Sequence, residues 1–200
     1  MTTTPWRNDP AFQGMFHPDF PDDLQVIVHD GEPRRTQRGL EACWVRVTGA
    51  HGKLRMPVAP PDAKPPIRAA QVSWDERRVY TGTLLNQPKQ LQTAREGESI
   101  LFVHSPGTPH PVRVTPQYLV ERSQWCVLAC DKCGADQSLD PPTIMAKTRF
   151  PNAPEGAIMA AFTAFCPCGG TMVLSLVEGA EPAAKAPAPA QAEKPWWKFW

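Results

Sequence analysis

Apolar residues recur along this chain in short alternating runs separated by turn residues, the pattern of strands rather than of long helices. Leu24-Gln25-Val26-Ile27-Val28 is the first predicted strand, stopped by the Asp30-Gly31 turn signal. Ala42 to Thr48 is the second, with Cys43, Val45 and Val47 on one face and Trp44 and Arg46 on the other. Gly49 to Gly52 reads as a turn that closes it. Val79 to Leu85 resumes strand character, and Ser99 to Val103 follows the Glu96-Gly97 turn. Tyr118 to Arg122 fits a short helical turn or a strand equally well. Farther on, Gln124 to Ala129 leads into one pair of cysteines, Ala157 to Phe165 leads into another, and Thr171 to Val177 leads out of it.

Proline limits what can lie between these runs. Twenty-four prolines in 200 residues forbid long helices. Five of them, Pro57, Pro60, Pro61, Pro65 and Pro66, make residues 57–66 an extended loop inserted within a domain. The expected fold is mainly β, with α+β as the alternative. Residues 1–23 form an irregular lead-in that Phe12, Phe16 and Phe20 can pack, and residues 24–123 form a small barrel-like or sheet domain. Residues 124–178 form a cysteine-bearing module. From 179 to 194 the chain is Ala, Pro, Lys, Glu and Gln without a large apolar side chain, which predicts a flexible tether. An aromatic tip at 195–200 ends a tail expected to be disordered.

Charge narrows the partners. Twenty-one Lys plus Arg against 20 Asp plus Glu leave a net charge of +1, so no bulk field draws the chain to nucleic acid or to an anionic membrane. Local basic groups at Arg34, Arg35 and Arg38 and at Arg77 and Arg78 are diluted by Asp30, Glu32, Asp75 and Glu76, and nucleic acid is not favoured. The N-terminal residues lack the basic start and apolar run of a secretory signal, and no stretch approaches the roughly 20 apolar residues of a membrane-spanning helix. A reducing cytoplasm is the expected compartment.

In such a compartment, tightly paired cysteines point to metal rather than to disulfides. Cys130-Asp131-Lys132-Cys133-Gly134 and Cys166-Pro167-Cys168-Gly169-Gly170 are two short turns, each with glycine after its last cysteine, which lets the backbone bend and aim amides at the sulfurs. Four thiolates supplied in this way suit one tetrahedral, structural Zn2+. The second pair is C-x-C rather than C-x-x-C, which makes a tighter bite and leaves Cys126 as an alternative or extra ligand. A redox-active thiol cluster is the competing reading. Thirty-two residues separate Cys133 from Cys166, so a loop such as 139–154 is expected to project from the module.

Two resemblances follow from these motifs. Through its cysteine-glycine turns, the segment at about 124–177 resembles the zinc-ribbon superfamily, which implies a fold but no single function. Trp44-Val45-Arg46-Val47, Tyr80-Thr81-Gly82-Thr83-Leu84-Leu85-Asn86-Gln87-Pro88 and Gly97 to Phe102 resemble a small bacterial domain family of uncharacterised function. That family is marked by an aromatic-x-G-x-L-x-N-x-P strand followed by a Gly-acidic turn and a V-x-F strand. The likeness spans about residues 40–125. Trp125 matches a closing tryptophan, while Gln124 stands where an acidic residue is expected and the loop at 57–66 is an addition. Physically, Gly82 suits a strand closely approached by another backbone, and Asn86-Gln87-Pro88 suits a turn built for packing.

Catalytic signatures are sparse. The histidines at 17, 29, 51, 104 and 110 are scattered, and no phosphate loop, nucleophile elbow or dinucleotide fingerprint occurs. His104 with Cys43 is a conceivable base and nucleophile, and a pocket joining His104 or His29 to a carboxylate would favour an enzyme with a loop-assembled site. The tip is the stronger signal. Trp196, Trp197, Phe199 and Trp200, with Lys194 and Lys198 beside them, suit a pocket on a protein partner, a membrane interface or a groove on the chain's own domain. The expected function is a non-enzymatic binding or adaptor protein with a structural zinc site, docking to a protein partner through this tip. A nucleic-acid-binding ribbon protein is the third reading.

Overall fold

A computed structural model describes residues 4–30, 39–154, 156–157 and 159–179. Its elements in chain order are β1 (Asp23–Val28), β2 (Glu41–Val58), β3 (Ile67–Arg68), β4 (Ser73–Leu84), β5 (Ser99–Val103), β6 (Val112–Val114), α1 (Pro116–Arg122), β7 (Trp125–Leu128), α2 (Pro142–Arg149), β8 (Ala161–Phe165) and β9 (Thr171–Glu178). The expected mainly β class holds: 39% of the residues are strand against 13% helix.

Strands β1, β2, β4, β5 and β6 close into a barrel. Each neighbour along this meander is antiparallel, and an odd number of such strands must bring the first and last together in the same direction. The closing β1–β6 pair is accordingly parallel, registered at Ile27 and Val112. The alternation read from the sequence sets the inner face: Leu24, Val26, Val28, Cys43, Val45, Val47, Tyr80, Leu84, Ile100 and Phe102 form the barrel core. Gly82 sits where a side chain does not fit. A Cβ there would lie 2.4 Å from Val45 Cγ1 and 2.8 Å from the Arg46 carbonyl oxygen, so this is the close approach expected. Asn86 is structural as well, its Oδ1 accepting the Trp44 amide at 2.8 Å.

The lead-in is irregular but integral. Asp9 caps a single 3-10 turn, Pro10–Phe12, by accepting from the Ala11 amide, and the turn inserts Phe12, 1% exposed, into the barrel core. Trp6, Met15 and Phe16 pack behind it, whereas Phe20 is 54% exposed. The Tyr80 hydroxyl donates to Asp9 Oδ2 at 2.5 Å and so ties this turn to β4.

Two sequence expectations give way. The turn expected at Gly49 to Gly52 is instead the middle of an 18-residue strand, β2, whose register with β4 shifts between Val47 and Gly49 and again between Ala50 and Gly52. Bulges at these positions bend and twist the strand without breaking its pairing. The paired strands therefore run on together, and the proline-rich loop begins only after Val58. On the extension, Lys53 pairs with Glu76 and the Arg55 guanidinium stacks over Trp74 on the solvent side. The second correction is that, although 150–154 stay exposed, residues 139–149 are packed rather than projecting. They contain α2, whose Met145 and Ala146 are buried in the core of the cysteine-bearing module, while Leu139 packs on Ile27 and Val112.

The outer face of the barrel explains this packing. Val79, Val103 and Ile27 alternate with the core residues Tyr80, Phe102 and Val26, so they point outward, yet they are buried. Leu54, Met56, Val79, Val103 and Val114 receive Tyr118 of α1, a helix capped by the Thr115 hydroxyl accepting from the Tyr118 amide. Arg122, 1% exposed, donates through both terminal nitrogens to the carbonyls of Trp125 and Asp136, joining α1 to β7 and to the segment after the first cysteine pair. The Arg77–Asp136 ion pair adds a second tie. The proline-rich loop contributes a third, because it delivers β3 to pair in parallel with β9, and Ile67 packs with Cys126 and Val177.

Because Phe12 fills the barrel from outside the sheet, Phe12→Ala should destabilise the protein by about 3 to 5 kcal/mol, as for other buried aromatic truncations. Chemical denaturation of the full chain measures it. A loss under 1 kcal/mol would mean that residues 4–22 are dispensable to the core.

Candidate metal centre

In the second half, β9 is the central strand, flanked antiparallel by β7 and β8. One end of this sheet carries two tight turns. In the first, Cys130 N–H donates to the Ala135 carbonyl at 2.8 Å, and Gly134 N–H donates to the Cys130 carbonyl at 2.9 Å. The second repeats the plan one residue shorter, with Cys166 N–H to the Gly170 carbonyl and Gly169 N–H to the Cys166 carbonyl, both at 2.9 Å. The missing residue is the one that separates C-x-C from C-x-x-C. Gly134 and Gly169 have φ of 76° and 84°, a region other residues enter at a cost, which accounts for glycine after each pair.

The turns place the sulfurs of Cys130, Cys133, Cys166 and Cys168 within 4.8 Å of one another. Across the turns, Cys130 Sγ lies 3.5 Å from Cys168 Sγ, and Cys133 Sγ lies 3.6 Å from Cys166 Sγ. A tetrahedral ion with metal–sulfur bonds of about 2.3 Å has sulfur–sulfur edges of about 3.8 Å. The four thiols thus form a cage of the right size for one metal ion, and they are far too widely spaced for disulfides. All four of the cysteines expected as ligands are brought together.

Each sulfur also has an amide two residues along the chain. The Lys132 and Gly170 amides donate to Cys130 and Cys168 at 3.4 Å, and those of Ala135 and Cys168 bond to Cys133 and Cys166. Such donors disperse the negative charge that four thiolates retain around a divalent ion. The Gly170 amide draws the Cys168 thiol down to about 7, whereas burial pushes those of Cys133 and Cys166 up. Gly170 has a steric reason too: a Cβ would lie 2.5 Å from Asp131 Oδ1 and 2.6 Å from Cys130 Sγ.

Sequence reasoning missed the struts between the turns. Asp131 accepts from the Thr171 amide and hydroxyl, both at 2.8 Å, and these bonds hold its carboxyl below the usual range. Lys132 Nζ reaches the Cys168 carbonyl at 2.9 Å. The available signal was a polar side chain placed directly after the first cysteine and another directly after the last glycine.

Cys126 is not a fifth ligand. Alternation along β7 turns it to the opposite face, where it is fully buried with Ile67 and Val177 and burial raises its thiol. The tip residues Trp196, Trp197, Phe199 and Trp200 lie outside the described residues, as do Arg34, Arg35 and Arg38.

Both histidines singled out for catalysis line clefts that also hold carboxylates. His29 faces a cleft of about 270 Å3 with Asp30 and Asp140. Its Nε2 bonds the Arg113 carbonyl at 2.9 Å, and burial lowers its pKa to about 4, so it is a neutral ring near pH 7. Asp30 accepts from the Gln92 and Thr93 amides and from the Thr93 hydroxyl, a structural role at the end of β1. His104 lines a cleft of about 460 Å3 with Asp9, Asp75, Arg77 and Tyr80. Burial lowers its pKa as well, ahead of the nearby Arg77 charge. Cys43 does not line that cleft; it is buried in the barrel core, and burial raises its thiol. Arg77 is held by Asp75 and Asp136, and Arg78 lies 3.9 Å from Asp9, so neither offers an unopposed positive surface.

No protein-family model, curated protein or solved structure matches the chain.

The geometry separates the cysteines sharply. Cys130→Ser should bring bound metal from one ion per chain to near zero, and Cys126→Ser should leave it at one, as read by elemental analysis of gently purified protein. Equal loss in both variants would show that Cys126 takes part.

Proposed function

We propose that this is a non-enzymatic binding or adaptor protein of the cytoplasm, built on a structural zinc ion and docking to a protein partner through the aromatic tip Trp196, Trp197, Phe199 and Trp200. The observation that carries this reading is the closed ligand set. Four cysteine sulfurs converge on one point, so a tetrahedral ion there has every position filled by protein and none left for water or substrate. Four thiolates favour zinc among the divalent ions that proteins hold tetrahedrally, with iron as the chemical competitor. Folding and metal binding are then coupled, since the ion would add four bonds to the few hydrogen bonds that join the two turns.

Among the described residues no helix is long and apolar enough to cross a membrane. The work of recognition is assigned to the tip because tryptophan dominates binding hot spots, removing a large apolar area from water while keeping an N–H donor. The tether lets it search while the folded body stays elsewhere.

A second reading has one observation in its favour. The cleft holding His104, Asp9 and Tyr80 combines groups able to carry protons, and an enzyme with a loop-assembled site would use it. Asp9 is already bonded to Tyr80 and to the Ala11 amide, which makes the cluster a tie between the lead-in and β4 first.

Replacing Trp196, Trp197 and Trp200 together by alanine should weaken partner association at least tenfold while leaving the zinc content unchanged and the protein cooperatively folded. Affinity capture beside calorimetry measures this. A variant that keeps every partner would contradict the proposal, and a parent that binds neutral and anionic vesicles without any protein, in a way the variant loses, would replace the partner with a membrane interface.

A further inference from the structure

The surface of the second half carries an apolar groove that neither the metal nor the barrel uses. It has a volume of about 450 Å3 and lies between α2 and the segment leading to β8, with Trp125, Ala146, Phe150, Pro151 and Met159 among its walls and Lys147 among its lining residues. Phe150 is 38% exposed here, one of few large apolar side chains left in water. Volumes of this size accommodate substantial ligands, and their affinity comes from apolar walls with a few polar groups beside them.

The chain leaves the sheet beside this groove. Leu176 of β9 lies directly opposite Trp125 in the β7–β9 register, and its amide donates to the Ala160 carbonyl at 2.7 Å, next to Met159. Two residues later β9 ends at Glu178. Residues 179–194 number 16 and have the composition of a tether, and a flexible chain of that length has a root-mean-square span of about 20 to 24 Å. The tip beyond them supplies three tryptophans and a phenylalanine. On a tether that starts at the groove, its local concentration is on the order of millimolar, above that of any ordinary cellular partner.

We infer that residues 195–200 occupy the groove formed by Trp125, Ala146, Phe150 and Met159 of the same chain, so that a partner must draw the tip out before it can bind. The inference rests on the proposed role of the tip in partner docking and adds its regulation. Aromatic rings fill apolar walls, Met159 gives a thioether to aromatic faces, and Lys147 is positioned beside them as a cation. The apparent affinity for a partner is then lowered by the fraction of tips that are docked.

The test uses the full chain labelled with 5-fluorotryptophan, in which the seven tryptophans give separate fluorine signals. The signals of Trp196, Trp197 and Trp200 should be shifted from those of the free peptide 195–200, and they should stay shifted on dilution. Phe150→Asp should return them to the peptide positions without moving Trp44 or Trp74, and Phe150→Ala, which removes the ring without adding charge, should do the same if the charged variant folds poorly. Both variants should capture partner more strongly than the parent. Tip signals that coincide with the free peptide in the parent overturn the inference, and so does a shift that vanishes on dilution, which would place the tip of a second copy in the groove. The two readings fail separately. A docked tip on a chain that binds no partner in any variant overturns the adaptor role alone. An undocked tip that still captures partner through the same tryptophans overturns only its storage in the groove.

Discussion

Holding four cysteine sulfurs within 4.8 Å of one another is the constraint on which the second half of this protein depends. Ionised, they would repel strongly at that distance; a divalent ion converts the repulsion into the strongest attraction in the module. Cys130 and Cys166 pack into the apolar core of the module, and the struts Asp131–Thr171 and Lys132–Cys168 join groups at the surface. With an ion in place these bonds become parts of one rigid end of the sheet, from which β9 carries order to β7, β8 and β3.

From there the constraint reaches the barrel. Sheets that bury both faces need a second layer, and in this barrel the layer is supplied by α1 and the segment after the first cysteine turn. Tyr118, Leu139 and the buried Arg122 sit at that seam, and the Gly107 backbone lies against the Cys133–Ala135 backbone. The extended β2 and β4 strands serve the same end, since Leu54 and Met56 lie past the bulges on the face that α1 covers. The barrel and the cysteine-bearing module are thus packed as neighbours with shared apolar clusters, and loss of the ion should be felt across the seam rather than at the turns alone.

Legibility in the sequence followed the range of the physics involved. Strands whose alternation is local, such as Ser99–Val103 and the start of β2, were readable residue by residue, as were the glycines after each cysteine pair. The four clustered cysteines were readable because spacing alone brings each pair to one turn. The continuation of β2 through Gly49 to Gly52 was not, because a bulge and a turn use the same residues and only the partner strand decides between them. The burial of α2 was hidden for a similar reason: Met145 and Ala146 are a weak apolar signal until a facing sheet exists. Cys126 looked like a ligand by proximity in sequence, and the two-residue period of β7 sends it to the opposite face. Phe12 is apolar in an irregular segment, and nothing local indicates that it enters the barrel core.

The central claim is that the four sulfurs bind one zinc ion as a closed set. X-ray absorption at the zinc edge of the full-length protein tests it most directly. The account predicts one zinc per chain with four sulfur neighbours at about 2.3 Å and no nitrogen or oxygen in the first shell. A shell of fewer than four sulfurs, or a folded protein without zinc, would contradict it.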